Sequence, residues 1–96
     1  MALSEMHYER NLNFIYRKVV DEFILVPIHQ DVADMDSIFT LNGVGAFIWE
    51  LLDQPRTQAE LQSAMLEEFD AEPEVIISDL EKFLGEMTNI GALKKV

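Results

Sequence analysis

Leu41-Asn42-Gly43-Val44-Gly45-Ala46-Phe47-Ile48-Trp49-Glu50-Leu51-Leu52 is the stretch at which the chain changes from strand-like to helix-like. Taken alone, Asn42-Gly43 is a favoured hairpin turn, and the run before it, Ser37 to Leu41, has strand composition. The residues after it do not alternate. Phe47, Ile48, Leu51 and Leu52 recur at the spacing of one helix face, with Trp49 among them. Asn42 therefore reads as an N-cap, its side chain accepting from an orphan amide of the first turn. A helix is predicted from Gly43 to Leu52, stopped at Asp53-Gln54-Pro55. Trp49, set inside the apolar run, is expected to anchor the core instead of stacking on a ligand.

Strands lie upstream of this point and helices downstream. Phe14 to Val20 (FIYRKVV) and Phe23 to Ile28 (FILVPI) are rich in aromatic and β-branched residues. The short polar break Asp21-Glu22 between them predicts a hairpin, although Asp-Glu is not favoured turn chemistry. Pro27 cannot donate to a ladder and is expected near its strand's end or with its nitrogen facing away from a neighbour. Gln30 to Asp36 is an acidic loop, Ser37 to Leu41 a third strand, and Met1 to about Asn13 is polar and expected to be loose.

Downstream, Thr57-Gln58-Ala59-Glu60 has the pattern of a capping box, and Leu61, Ala64, Met65 and Phe69 form the stripe of the helix it opens. Pro73 suits a first helical position. Ile76, Leu80, Phe83, Leu84, Met87 and Ile90 then trace one face of a helix from Pro73 to about Asn89, and Gly91 is a natural C′ residue. Lys94-Lys95-Val96 forms a short final strand or frays. The predicted architecture is α+β: a three-stranded antiparallel sheet followed by three helices, winged helix-turn-helix-like. It forms one domain over residues 1–96 with an ordered core at about 14–93.

Composition narrows the function. The chain has 96 residues, 49% of them hydrophobic, which suits one globular domain with a small core. Absence of cysteine rules out disulfides and thiolate metal sites. Met1-Ala2-Leu3-Ser4-Glu5-Met6-His7 lacks the basic and apolar segments of a secretory signal, and no apolar run approaches membrane-spanning length. A soluble, cytoplasmic protein is expected. The net charge of −11 repels nucleic acid and anionic lipid. The helix from Pro73 is the one a helix-turn-helix protein would place in a major groove. There, Glu72, Glu74, Asp79, Glu81 and Glu86 outnumber Lys82, so phosphate would be repelled. No nucleic acid or membrane partner is expected.

Sequence signals for covalent chemistry fail one by one. Gly43-x-Gly45 has Ile48 where a dinucleotide fingerprint needs its third glycine. His7 and His29 stand far apart, with no HExxH motif. Asp31, Asp34 and Asp36 resemble part of a calcium loop, but their spacing is wrong and the distal glutamate is missing. No GxSxG element marks a nucleophile. No catalytic residue, metal or cofactor is assigned, and a non-enzymatic protein is expected. The strand Ser37 to Leu41 is the natural edge of the meander and carries no lysine, proline or bulge signal to protect it. Such an edge either accepts an extended peptide through main-chain hydrogen bonds or is covered by a loop or the final strand.

The stretch Leu41 to Asp53 resembles the LN-x-x-(G/A)-x-x-(I/V)-W signature of the PqqD family. Arg56-Thr57, Glu68-Phe69-Asp70, Asp79-Leu80-x-x-Phe83-Leu84 and Ile90-Gly91-Ala92-Leu93 continue the pattern, so the similarity runs from about Phe14 to Leu93. The resemblance implies a non-catalytic leader-peptide recognition domain, or RiPP recognition element, with three strands followed by three helices. Members of that family bind the leader of a ribosomally made precursor as an additional strand beside the third strand, in a groove against the third helix. They deliver it to a modifying enzyme, often a radical SAM protein; the founding member serves pyrroloquinoline quinone biosynthesis.

Carried onto this chain, the resemblance implies a peptide-binding site made of Ser37, Ile38, Phe39, Thr40 and Leu41 with Val75, Ile76, Asp79, Leu80, Lys82 and Phe83. Leu80 and Phe83 also read as ordinary core positions. Lys82, the only cation on that helix, either pairs with an acid of the peptide or stays solvated. Other roles consistent with the sequence are a structural accessory subunit of a partner enzyme and, against the charge pattern, a winged-helix transcriptional regulator. An unguarded edge allows either a monomer or a strand-exchanged dimer.

Overall fold

The computed structural model of the chain describes residues 6–28 and 38–96. Ser37, His29 and the acidic loop with Asp31, Asp34 and Asp36 lie outside the described residues. Three antiparallel strands form the expected sheet: β2 (Phe14–Val19), β3 (Glu22–Pro27) and β4 (Phe39–Leu41), in the order β2-β3-β4. β2 pairs with β3 from Phe14↔Pro27 to Val19↔Glu22, so the hairpin loop is Val20-Asp21, one residue earlier than the polar break predicts. Pro27 is the last residue of its strand, as its missing amide requires. Val20 has a φ of +59°, the left-handed region that a β-branched residue rarely enters.

The three helices are α1 (Gly43–Leu51), α2 (Gln58–Glu68) and α3 (Pro73–Asn89), and their ends follow local chemistry. The Gly45 amide donates to Asn42 Oδ1 at 2.8 Å, which makes Asn42 the N-cap of α1. At α2 the capping box is complete: the Glu60 amide donates to Thr57 Oγ1 at 3.1 Å, and the Thr57 amide donates to Glu60 Oε1 at 2.9 Å. Pro73 opens α3. At its other end the Ala92 amide donates to the Met87 carbonyl at 2.8 Å and the Gly91 amide to Thr88 at 3.1 Å, with Gly91 at a φ of +86°. This is a Schellman motif, with glycine in the left-handed position that the motif requires.

A second sheet departs from the expectation of a loose N-terminus. β1 (His7–Arg10) lies between β5 (Arg56–Thr57) and β6 (Leu93–Lys95), both antiparallel to it, so order extends beyond residues 14–93 on both sides. The sequence HYER shows no apolar alternation, and its partners are distant in the chain, so no local signal announces it. Long-range contacts secure it. Arg10 donates through Nε and Nη2 to the Trp49 carbonyl at 3.1 and 2.6 Å, and its guanidinium lies 5.3 Å from the Trp49 ring centre. Asn11 Nδ2 donates to the Gly91 carbonyl at 2.8 Å.

The core joins every layer: Leu25 and Leu41 from the first sheet, Ile48, Trp49 and Leu52 at α1, Leu61 and Met65 from α2, Ile76, Leu80 and Leu84 from α3, and Leu93 from the second sheet. Trp49 is 1% exposed and serves as the expected anchor. Tyr16 stacks on Phe23 at 5.9 Å and donates to Glu50 Oε2 at 2.9 Å. Burial, followed by that hydrogen bond and the Glu50 charge, pushes the Tyr16 phenol up to about 12, so it remains a donor at neutral pH.

Candidate functional site, a groove between an edge strand and the third helix

β4 pairs with β3 through Phe23↔Leu41, Ile24↔Thr40 and Leu25↔Phe39. Among the described residues, no strand occupies its other side. Facing β4 and the start of α1 is α3, and two cavities open along it, one against β4 and one against the first turn of α1. One, of about 290 Å³, is lined by Phe39, Thr40, Glu86, Met87, Asn89 and Ile90. The other, of about 220 Å³, is lined by Asn42, Val44, Gly45, Asp79, Lys82, Phe83 and Glu86. Glu86 belongs to both, and neither includes a residue of β3. As the chain runs from Phe39 into α1, the facing residues of α3 run backward from Ile90 to Asp79. The chain from Phe39 to Gly45, strand and then first helical turn, thus forms one wall of a groove whose antiparallel other wall is α3.

The two ends of the groove differ in chemistry. At the Phe39 end the walls are mostly apolar, with Phe39, Met87 and Ile90 packed against the core. At the α1 end the helix presents Asp79, Lys82 and Glu86, all exposed. The ion pairs within 4.0 Å among the described residues are Arg56–Asp53 and Lys94–Glu9, so none of the three is held in an ion pair at that distance. Between the walls, the Phe83 ring packs against Gly45. A Cβ on Gly45 would stand 3.0 Å from Phe83 Cε1, whereas one on Gly43 would meet nothing within 4 Å. Gly45 is what lets α1 approach α3 this closely.

The structure divides the residues that the sequence brought forward. Phe39, Thr40, Asp79, Lys82 and Phe83 line the groove. Leu41, Ile76 and Leu80 are turned into the core instead, Leu80 completely. Ile38 is exposed immediately before β4; Val75 is exposed but lines neither cavity. Asn42, Val44, Gly45, Glu86, Met87, Asn89 and Ile90 were not foreseen. The signal for three of the seven was available: extending Asp79 and Lys82/Phe83 by further helical turns gives Glu86/Met87 and Ile90. Met87 and Ile90 read only as core because their apolar character satisfies the stripe equally well. Among the described residues, no three His, Cys, Asp or Glu side chains stand together as metal ligands, and no helix is long and apolar enough to cross a membrane.

Residues 17–93 match the family of coenzyme PQQ synthesis protein D, PqqD. The chain belongs to the PqqD family. Its fold is also that of TbiB1, whose structure was solved in complex with the TbiA(beta) leader peptide. The two chains are 23% identical, with a TM-score of 0.73 over 90% of this chain and 94% of the other. No curated protein matches the sequence. The signature residues of this PqqD-family chain fall where the groove is built: Asn42 caps α1 at its rim, Gly45 admits Phe83, and Trp49 holds α1 from the core side.

Proposed function

We propose that this PqqD-family protein captures the leader of a ribosomally made precursor peptide as an added strand on β4 and presents it to a modifying enzyme, a radical SAM protein being the typical partner. It takes no part in the covalent chemistry. The observation that carries the reading is the edge of β4 that no described strand occupies, lying across a groove from α3 with apolar and charged lining ready for side chains. Unpaired N–H and C=O groups on such an edge supply main-chain hydrogen bonds regardless of the visitor's sequence, and the groove supplies selection. Each hydrogen bond contributes about 1 kcal/mol net, and buried leader side chains add roughly 25 cal/mol per Å² of apolar area. The fold shared with TbiB1, itself solved with a leader peptide bound, agrees with this reading.

Calorimetric titration of the isolated protein with synthetic leaders from short reading frames near its gene tests the reading. The expected result is binding by the protein alone, abolished by Phe39→Pro and by Ile38→Pro. Proline removes a donor and distorts the edge. Phe39 also packs on Phe14, with ring centres 6.5 Å apart, so the exposed Ile38 variant guards against mere unfolding. A folded proline variant that binds the leader normally would rule out strand addition. Binding to the enzyme but to no leader would instead mark the protein as an accessory subunit.

A further inference from the structure

Resting on the strand-addition reading, the spacing of charges along α3 specifies more than an extended visitor. Lys82, Glu86 and Ile90 are successive residues four apart on one side of the helix. At 1.5 Å per residue, each step is about 6 Å along the axis. A strand rises about 3.3 Å per residue and returns a side chain to the same face every two residues, about 6.6 Å. The two repeats therefore stay in step over this length, drifting by only about 1 Å, well within the reach of lysine and glutamate side chains. A strand that pairs with β4 and continues past Asn42 along the first turn of α1 brings its alternate side chains to these helix positions in turn.

We infer that the groove selects an extended segment with an acidic, a basic and an apolar residue at alternate positions, facing Lys82, Glu86 and the Met87–Ile90 end respectively. The acid answers the only cation on α3, and the base answers Glu86, neither of which is in an ion pair within 4.0 Å among the described residues. The apolar side chain fills the cavity between Phe39, Met87 and Ile90. Asp79, one turn before Lys82, falls out of step with the strand repeat and faces the Asn42 rim. It repels an acid displaced toward that end, as Glu86 repels one displaced toward the other. The overall charge of −11 acts in the same sense, so Lys82 is the one position in the groove where an acid is welcome. Selection thus comes from attraction at the matched register and repulsion at the shifted ones.

The test is a display library of ten-residue peptides with every second position varied among Glu, Lys, Leu and Ser, selected on the intact 96-residue protein. The expected enrichment is Glu-x-Lys-x-Leu, or its reversal according to strand direction, about fivefold over the charge-exchanged order, the scale of two partly exposed ion pairs. In the double variant Lys82→Glu/Glu86→Lys the preference inverts; both side chains are exposed, so the helix is retained. If peptides are retained and lost on Ile38→Pro, yet charge order is ignored or survives the exchange, the order rule is wrong and strand addition stands. If no peptide is retained, or retention is unaffected by the proline, strand addition itself falls and the order rule with it.

Discussion

Gly45 does two things at once. Its amide donates to the cap of α1, and its missing side chain leaves room for the Phe83 ring on the floor of the groove. Gly43, two residues earlier, has open space around its Cβ position. The pair forms an internal control. Gly45→Val drives a branched side chain into Phe83, and the expected outcome is a loss of about 1–3 kcal/mol in stability together with at least tenfold weaker leader binding. Gly43→Val meets no neighbour and replaces the poorer helix former, so stability changes by less than about 1 kcal/mol and binding is left intact. Thermal unfolding and leader titration of both variants separate the effects. Equal behaviour of the two would mean that Phe83 has no role in shaping the groove. The sequence offered the glycines as half a nucleotide fingerprint and Gly45 as the (G/A) position of the family signature; their different duties depend on which one faces α3, which neither pattern states.

At the scale of elements, caps and stripes were legible and turns less so. The Asn42 cap, the Thr57–Glu60 box, Pro73 and Gly91 were all readable because a cap is chemistry between residues three or four apart. The β2–β3 hairpin was readable as an element, but its loop was not. Val20 sits at the first loop position with positive φ, where the favoured two-residue turns place glycine or asparagine. Its side chain is 85% exposed, so almost no burial compensates for the strain. Val20→Gly should therefore raise stability by about 0.5–1 kcal/mol, the relief of a left-handed β-branched residue less the entropy of a freer unfolded chain. Urea unfolding reads the change as a higher midpoint at constant slope. No change in midpoint would show that Val20 bears no strain at this turn. Groove binding should be unaltered, since the loop lines neither cavity.

The molecule as a whole is held by an element that composition and periodicity overlooked. β1 carries no apolar repeat, yet it joins β5, which leads into α2, to β6, which follows α3, and through Arg10 it reaches the Trp49 carbonyl of α1. All three helices are thus tied at a single strand, and α3 is one wall of the groove. Had the ordered core been confined to residues 14–93, removal of residues 1–10 would be harmless. The two-sheet topology requires the opposite. Truncation leaves the edges of β5 and β6 unpaired and strips the guanidinium from the Trp49 ring, and the expected loss is on the order of 3 kcal/mol. Trp49, the single tryptophan, reports it directly: its emission should shift to the red as water reaches the ring, at a urea concentration well below that of the intact protein. Arg10→Ala, which keeps the β1 ladder but removes two hydrogen bonds and the cation–π contact, should fall between the two. An unshifted midpoint for the truncated chain would mean that the second sheet contributes nothing to the fold. A graded series would place the stability of the groove's helical wall partly in a strand on the far side of the chain from it in sequence.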